Sequence, residues 1–306
     1  MQYDSIVIGA GPAGVTAALY LARFGLKVAL VERMSLGGLV LQTAEIENYP
    51  GFPKGIKGYE LADALEAQLA PYPIDRISGE VVEVALEDKV KRVRVDDAWL
   101  EAATVIVASG VVYRKLGLPH EERFIGKGIS FCALCDGQFY RNKVVGVAGG
   151  GNSALEESLY LAKLVSRLHI IHRRDAFRGA PVYQERVKKD PKIQLELSEI
   201  ITALHGDAFL EGVTLRNVQT GAERLLALDG LFVFIGFSPA MPPLPLTVKL
   251  DTNGFIIADG EMCTSLPGVF AAGDVRSKLC RQVVTAVGDG AVAANSAYLY
   301  LEQQHA

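Results

Sequence analysis

Residues Phe131 to Asn142 read FCALCDGQFYRN, which sets Cys132 and Cys135 two residues apart and follows them at once with Asp136 and a glycine. Three chemistries use that spacing: half of a metal site, a structural cross-link, or a disulfide that opens and closes during turnover. A tetrahedral zinc site needs about four ligands, commonly from two such knuckles. The other cysteines, Cys263 and Cys280, lack the paired spacing, so no metal ligand set is assigned, and both read as small buried hydrophobes. A two-residue spacer lets two sulfurs close a small strained ring, and a helix starting near Ala133 would lower a thiol's pKa from its free value of ~8.5, which suits reversible disulfide exchange. Asp136 has two readings: an acid that protonates the leaving thiolate and takes the proton back, or a helix-start acid that interacts with the dipole.

The rest of the chain must position that pair. With 50% hydrophobic and 22% charged residues the composition is that of a globular protein. A length of 306 residues, at roughly 150 per domain, suggests two domains. A net charge of −4 gives no reason to expect nucleic acid. No apolar run reaches the ~20 residues that span a bilayer, so no membrane association is expected. The most hydrophobic stretch, GLFVFIGFSPAMPPLPL, is cut by Pro239, Pro242, Pro243 and Pro245. The start, MQYDSIVIG, carries Asp4 and no basic leader, so no signal peptide is expected and the cytoplasm is the default location. In that reducing compartment a close cysteine pair is catalytic or metal-binding before it is structural.

Residues 3 to 34 read as strand, glycine turn, helix and strand, with Ile6 to Ile8 and Val28 to Val31 strand-like and Val15 to Phe24 at helical spacing. The turn carries Gly9-x-Gly11-x-x-Gly14, and Glu32 closes the second strand. Such glycines let the backbone approach a pyrophosphate held at the helix N-terminus, and the acid accepts hydrogen bonds from ribose hydroxyls; the bland alternative is a tight turn alone. The pattern returns in KVVGVAGGGNSALEESLYLAKLVSRLHIIHRRDAFR, with Gly149-x-Gly151-x-x-Ala154, a helix from about Ser153 to Leu164 and a strand from Leu168 to Ile171. Here the strand ends in His172, Arg173 and Arg174, with Arg178 beyond. Cations at that place favour an adenosine 2′-phosphate, hence NADPH over NADH; the alternative is a solvated basic strand end.

Two nucleotide units in one chain suggest two nucleotides, a flavin that stays and a nicotinamide that comes and goes. In LPGVFAAGDVRSKLCRQVVTAVGDGAVAANSAYLYL a strand from Val269 to Ala272 precedes Gly273-Asp274 and a helix from about Gln282, whose N-terminal end would face an electron-rich ring. Asp274 reads as a hydroxyl acceptor for a ribityl chain, or as the start of a turn. If the two ends of the chain build the flavin site, the second unit is an insertion, with junctions near GVVYRKLGLP and MPPLPL.

Taken in order, GAGPAG, EIENYPGFP, FCALCDGQFYRN, GGGNSA, HRRDAFR, and GVFAAGDV followed by RQ resemble the low-molecular-weight thioredoxin reductases over essentially the whole chain. The resemblance implies an α/β fold of two Rossmann-like three-layer nucleotide-binding domains, the second inserted into the first. It implies an FAD domain in two pieces, 1–112 and 246–306, an NADPH domain of 113–245 carrying the redox pair, and a homodimer. Carried over residue by residue, it implies FAD contacts at Gly9, Gly11, Pro12, Ala13, Gly14, Glu32, Arg33, Gly38, Leu39, Gln42, Asn48, Ser109, Gly110, Gly273, Asp274, Arg281, Gln282 and Val283. NADPH contacts fall on Gly151, Asn152, Ser153, His172, Arg173, Arg174 and Arg178, and the redox residues are Cys132, Cys135 and Asp136.

The implied reaction runs from NADPH through FAD to Cys132/Cys135 and then to thioredoxin or a thioredoxin-like disulfide protein. Cys135 faces the flavin and Cys132 attacks the partner. Three residues depart from the family pattern: Leu39 stands where Gln is common, Ser109 where Thr is usual, and Phe237 where a polar residue is common. Rival readings are the flavoprotein reductase of a peroxiredoxin system, which usually carries an extra N-terminal redox domain, and a ferredoxin or flavodoxin reductase, which should lack the cysteine pair. A nucleotide-binding redox sensor without turnover is a third.

Overall fold

A computed structural model of the chain describes residues 2–43, 46 and 48–305; the side chains of Gln42, Leu134, Cys135 and His305 lie outside that description. The first stretch builds strands β1 (Tyr3–Ile8), β2 (Val28–Glu32), β3 (Ile74–Ser78), β4 (Val81–Ala85), β5 (Lys91–Val95), β6 (Ala98–Val107) and β7 (Val111–Tyr113), with helices α1 (Pro12–Arg23) and α2 (Gly58–Leu69). Pro12 opens α1, where its missing N–H costs nothing. Ala13, Val15, Ala17, Ala18 and Leu21 form the buried stripe of that helix. β1 is buried almost throughout because both faces of a parallel strand are covered.

The middle stretch forms α3 (Glu121–Phe124), β8 (Ile129–Ser130), α4 (Ala133–Asp136), β9 (Val144–Gly149), α5 (Asn152–Ala162), β10 (Arg167–His172), α6 (Pro181–Lys189), β11 (Ile193–Leu197), β12 (Glu199–His205), β13 (Gly212–Asn217), β14 (Glu223–Ala227), β15 (Gly230–Phe234) and β16 (Phe237–Pro239). The parallel sheet β11-β10-β9-β15-β8 lies between two layers. Val145, Val147, Leu168, Ile170 and Phe232 pack with Leu155 and Leu161 of α5, while Ile171, Leu231 and Val233 pack with Val213 and Leu215 of the antiparallel sheet β12-β13-β14. The alternation along β10 and β15 divides the two cores.

The return stretch adds β17 (Val269–Ala271) and α7 (Val283–His305). β17 runs parallel to Val105–Val107 of β6, whose first half pairs antiparallel with β5, so one edge of that long strand serves two neighbours while β1 takes the other. The sheet runs β3-β2-β1-β6-β5-β4. Val7, Leu30, Ile106 and Phe270 face the helices, and Ile6, Ile8, Val31 and Val105 face the opposite layer.

Contacts divide the chain into unit 1, Met1–Val112 with Ser238–Ala306, and unit 2, Tyr113–Phe237. β7 and β16 pair where the chain crosses. Ala240 N–H donates to Gly110 within unit 1, and Arg114 N–H donates to Gly236 within unit 2. The second division falls ahead of MPPLPL, because Met241 and Leu244 pack against the unit 1 core. Among the described residues no helix is long and apolar enough to cross a membrane.

Candidate active site

The redox segment leaves β8 and turns at once into α4. Ser130 fixes that turn: its hydroxyl accepts the Cys132 N–H at 3.0 Å and donates to the Cys132 carbonyl at 3.2 Å. Cys132 is buried and disulfide-bonded, whereas Cys263 and Cys280 are free and, against expectation, half-buried and exposed respectively. The side chain of Cys135 lies outside the described residues. Asp136 ends α4 rather than starting it, with its N–H bonded to the Cys132 carbonyl at 3.1 Å. α4 is a single turn of four residues, so the dipole effect expected at a helix start near Ala133 has little helix behind it. The following turn packs on α5, where a Cβ on Gly137 would meet Leu161 and Leu164 at 3.2 Å. Beyond it Phe139 stands 74% exposed, and burial raises the Tyr140 phenol pKa, helped by the charges of Asp136 and Asp229.

The second glycine turn opens a cavity of about 560 Å³ within unit 2. Gly151, Asn152, Ser153, His172, Arg173 and Arg178 line it; Arg174 is not among the lining residues. Nothing lies within 4 Å of where a Gly151 Cβ would sit, which leaves the helix N-terminus open to a phosphate. The Asn152 side-chain carbonyl accepts the Ala180 N–H at 2.7 Å, and the Gly150 carbonyl accepts Arg178 N–H at 2.8 Å, so the basic loop is tied back to the turn. His172 Nε2 is buried without a hydrogen-bond partner among the described residues, and burial lowers its pKa. An orphaned ring nitrogen beside two arginines fits a phosphorylated ribose.

Other lining residues were not legible as a motif: Tyr113, Lys115, Glu199 and Phe234 join Phe237 around the cavity. Tyr113 packs against Phe131 at 6.0 Å and Phe237 at 5.3 Å, and burial pushes its phenol up to about 12. Next to it Glu157, on α5, has its carboxyl pushed up to about 8 by burial and then by the Glu156 charge; its Oε2 has no partner among the described residues. The signal for these residues is position, since they lie at or just past the C-terminal ends of β7, β11 and β15.

In unit 1 the predicted residues gather around the first turn. Gly9 has φ +100°, and its missing Cβ would sit 2.5 Å from the Ala108 carbonyl oxygen. A Gly38 Cβ would be 3.2 Å from Gly11 Cα, and a Gly273 Cβ 2.8 Å from that of Ala13, so Pro12, Ala13, Gly38 and Gly273 meet at the start of α1. Glu32 accepts the Ala10 N–H at 2.7 Å and the Met34 N–H at 2.9 Å. Asn48 Nδ2 donates to the Gln282 side-chain Oε1 at 2.9 Å, just ahead of Val283, which opens α7. Arg281 donates to the Asp274 carbonyl and lies over the Phe255 ring at 4.0 Å.

Ser109 Oγ, next to Gly110, and Asp274 Oδ1 are buried without hydrogen-bond partners among the described residues, and burial raises the Asp274 pKa. Those two orphaned oxygens, with open space at Gly11, fit a hydroxylated, phosphate-bearing cofactor. Arg33 instead pairs with Glu80 at the surface, and Leu39 is half-buried. Gln42 lies in a short turn with its side chain outside the described residues. No cluster of three or more His, Cys, Asp or Glu side chains among the described residues could hold a metal ion.

The model of the pyridine nucleotide-disulphide oxidoreductase family matches residues 3–290. The chain is 42% identical over 301 residues to thioredoxin reductase of Treponema pallidum, covering 98% of each chain. It is 42% identical over 303 residues to that of Mycolicibacterium smegmatis, covering 99% of this chain and 97% of the relative. Among solved structures, Lactococcus lactis thioredoxin reductase in its FR conformation aligns with a TM-score of 0.95 at 40% identity, covering 98% of this chain and 99% of that one. T. acidophilum thioredoxin reductase aligns with a TM-score of 0.91 at 35% identity, covering 99% of both.

Proposed function

We infer that this chain, which belongs to the pyridine nucleotide-disulphide oxidoreductase family, is an NADPH-dependent thioredoxin-disulfide reductase that uses FAD and a redox-active disulfide. The observation that carries the reading is that one unit holds both a disulfide-bonded Cys132 and an open cavity ended by His172, Arg173 and Arg178, in a chain similar over its whole length to thioredoxin reductases.

When bound, FAD accepts a hydride from NADPH and supplies an electron pair to a disulfide. The unit 1 residues around Gly11, Glu32 and Asp274 hold it. Arg173 and Arg178 bind the 2′-phosphate, and the Gly151 turn seats the pyrophosphate. The partner of Cys132 in its disulfide is Cys135. Opening that bond consumes two electrons, and Asp136 holds the proton that the leaving thiolate takes up. Cys132 then attacks the disulfide of the protein substrate, and Cys135 displaces the reduced protein and restores the starting disulfide. Thioredoxin or a thioredoxin-like protein docks against the redox segment, where exposed Phe139 offers an apolar contact.

Unit 2 carries both the disulfide and the nicotinamide cavity, and one flavin serves both, so they take turns. Unit 2 turns about its two linkers between the half-reactions, and that motion limits turnover. The protein works in the cytoplasm as a homodimer. Supporting surface for the dimer is the apolar face of α1 and α7, where Tyr20, Phe24 and Leu299 are exposed and Phe24 stacks on Tyr298.

An anaerobic NADPH titration tests the electron path. The wild-type protein should take up about two reducing equivalents beyond the flavin, and Cys135→Ser should remove that excess. Equal uptake by both would take the disulfide out of the path.

A further inference from the structure

Between β17 and α7 the chain buries two cations on one carboxylate. Asp289 Oδ2 accepts the Gly273 N–H at 3.0 Å and a hydrogen bond from Lys278 Nζ at 2.7 Å, and its Oδ1 accepts Arg276 Nη1 at 3.2 Å. The side chains of Lys278, Asp289 and Arg276 are only 9%, 12% and 13% exposed. The neighbouring Gly290 sits so close to α1 that a Cβ there would lie 2.2 Å from the Ala13 carbonyl oxygen. Asp289 is thereby fixed against the start of α1 and in turn fixes the Gly273 turn, which has φ +76°. Asp274, the next residue, keeps Oδ1 buried and unbonded. Two buried cations for one carboxylate is an arrangement a folded chain keeps only when further negative charge compensates it.

We propose that Asp289 is a positioning residue for the flavin and Lys278 a buried counter-charge that sets its reduction potential. Asp289 holds the Gly273 N–H so that Asp274 is presented to the cofactor. Around the Gly273 turn three basic side chains, Arg276, Lys278 and Arg281, stand against two acidic ones, Asp274 and Asp289. Two-electron reduction at neutral pH leaves the flavin ring with a negative charge that the oxidised ring lacks, and a nearby cation favours that form. This assignment rests on the flavin reading of unit 1. A wild-type protein that takes up no flavin would refute that reading and this assignment with it, whereas flavin-loaded variants with unchanged potentials would refute the assignment alone.

The test compares Asp289→Asn, Asp289→Glu and Lys278→Met with wild type, each stripped of flavin and titrated with FAD, then poised in a spectroelectrochemical cell. Asp289→Asn should bind FAD about tenfold or more weakly, since a charge-assisted hydrogen bond to the turn is lost. It should also raise the flavin midpoint potential, because a negative charge is removed. Asp289→Glu should recover most of the affinity. Lys278→Met leaves Asp289 bonded to Gly273, so FAD affinity should change less than threefold or so while the potential falls. Opposite shifts of potential are the signature that a purely structural tie would not give. Unchanged potentials in both variants, or shifts of the same sign, would overturn the proposal. Should Asp289→Asn not fold, Lys278→Met decides alone, and an unchanged potential there is enough to reject it.

Discussion

The two glycine turns use one device and finish it differently. In unit 1 a Cβ on Gly14 would lie 1.8 Å from the Gly9 carbonyl oxygen, whereas in unit 2 the same position is Ala154, whose methyl is buried beside Gly149. α1 therefore approaches its strand more closely than an alanine allows. The polar groups differ in the same sense. Both carboxylate oxygens of Glu32 are already engaged by backbone N–H groups, while His172 Nε2 has no partner beside a cavity of about 560 Å³. Glu32 thus spends its carboxylate on its own backbone, while His172 keeps a ring nitrogen uncommitted at the cavity, as Ser109 and Asp274 each keep an oxygen uncommitted in unit 1.

The contrast breaks most severely at Gly14. Gly14→Ala should abolish flavin binding and cost about 3 kcal/mol or more of stability, read as loss of the yellow chromophore and a lower Tm. Chain that retained full flavin content would show that the close approach is not required. Next in size is the basic strand end: Arg173→Ala with Arg178→Ala should raise the KM for NADPH about 100-fold and leave that for NADH nearly unchanged. Equal losses with both coenzymes would mean the arginines do not read the 2′-phosphate. Glu32→Gln keeps an acceptor but loses charge, and FAD affinity should drop about tenfold in a fluorescence titration.

A subtler difference lies along the helices, where Glu157 of α5 takes the place that buried Ala17 has on α1. Its folded pKa, about 8, is above the ordinary carboxyl value of 4.5. Between those pH values the folded chain holds a proton that the unfolded chain has released, so stability falls as pH rises through the window. Glu157→Gln should flatten that fall, by on the order of 2 kcal/mol across the window, in denaturation measured at several pH values. An identical pH slope in both proteins would remove Glu157 as its source. The smallest effect is Ala154→Gly, which should cost about 1 kcal/mol of helix stability and leave coenzyme binding intact.

Much of this was legible because it is local. The glycine spacing, the apolar strands on either side and the change from Glu32 to His172-Arg173 lie within single βαβ units, where chain neighbours are also spatial neighbours. The two-residue spacing of Cys132 and Cys135 is local in the same way. What escaped was made by distant segments. Lys278 and Asp289, 11 residues apart, pair only once the chain after Gly273 turns back to α7, and Tyr113, Glu199 and Phe234 line one cavity without any shared motif. The second crossing at Phe237–Ser238 precedes the prolines because composition marks where a chain can bend, whereas Met241 and Leu244 show where its packing has already changed sides. The length of α4 was hidden too: the single turn Ala133–Asp136 gives way to a tighter turn at Gly137, which a spacing of two cysteines does not foretell.

The two carboxylate oxygens of Glu32 tie the Ala10 N–H of the first turn to the Met34 N–H past β2. One side chain therefore clasps both ends of the first strand-turn-helix-strand unit, and its removal would loosen the loop on either side of it together.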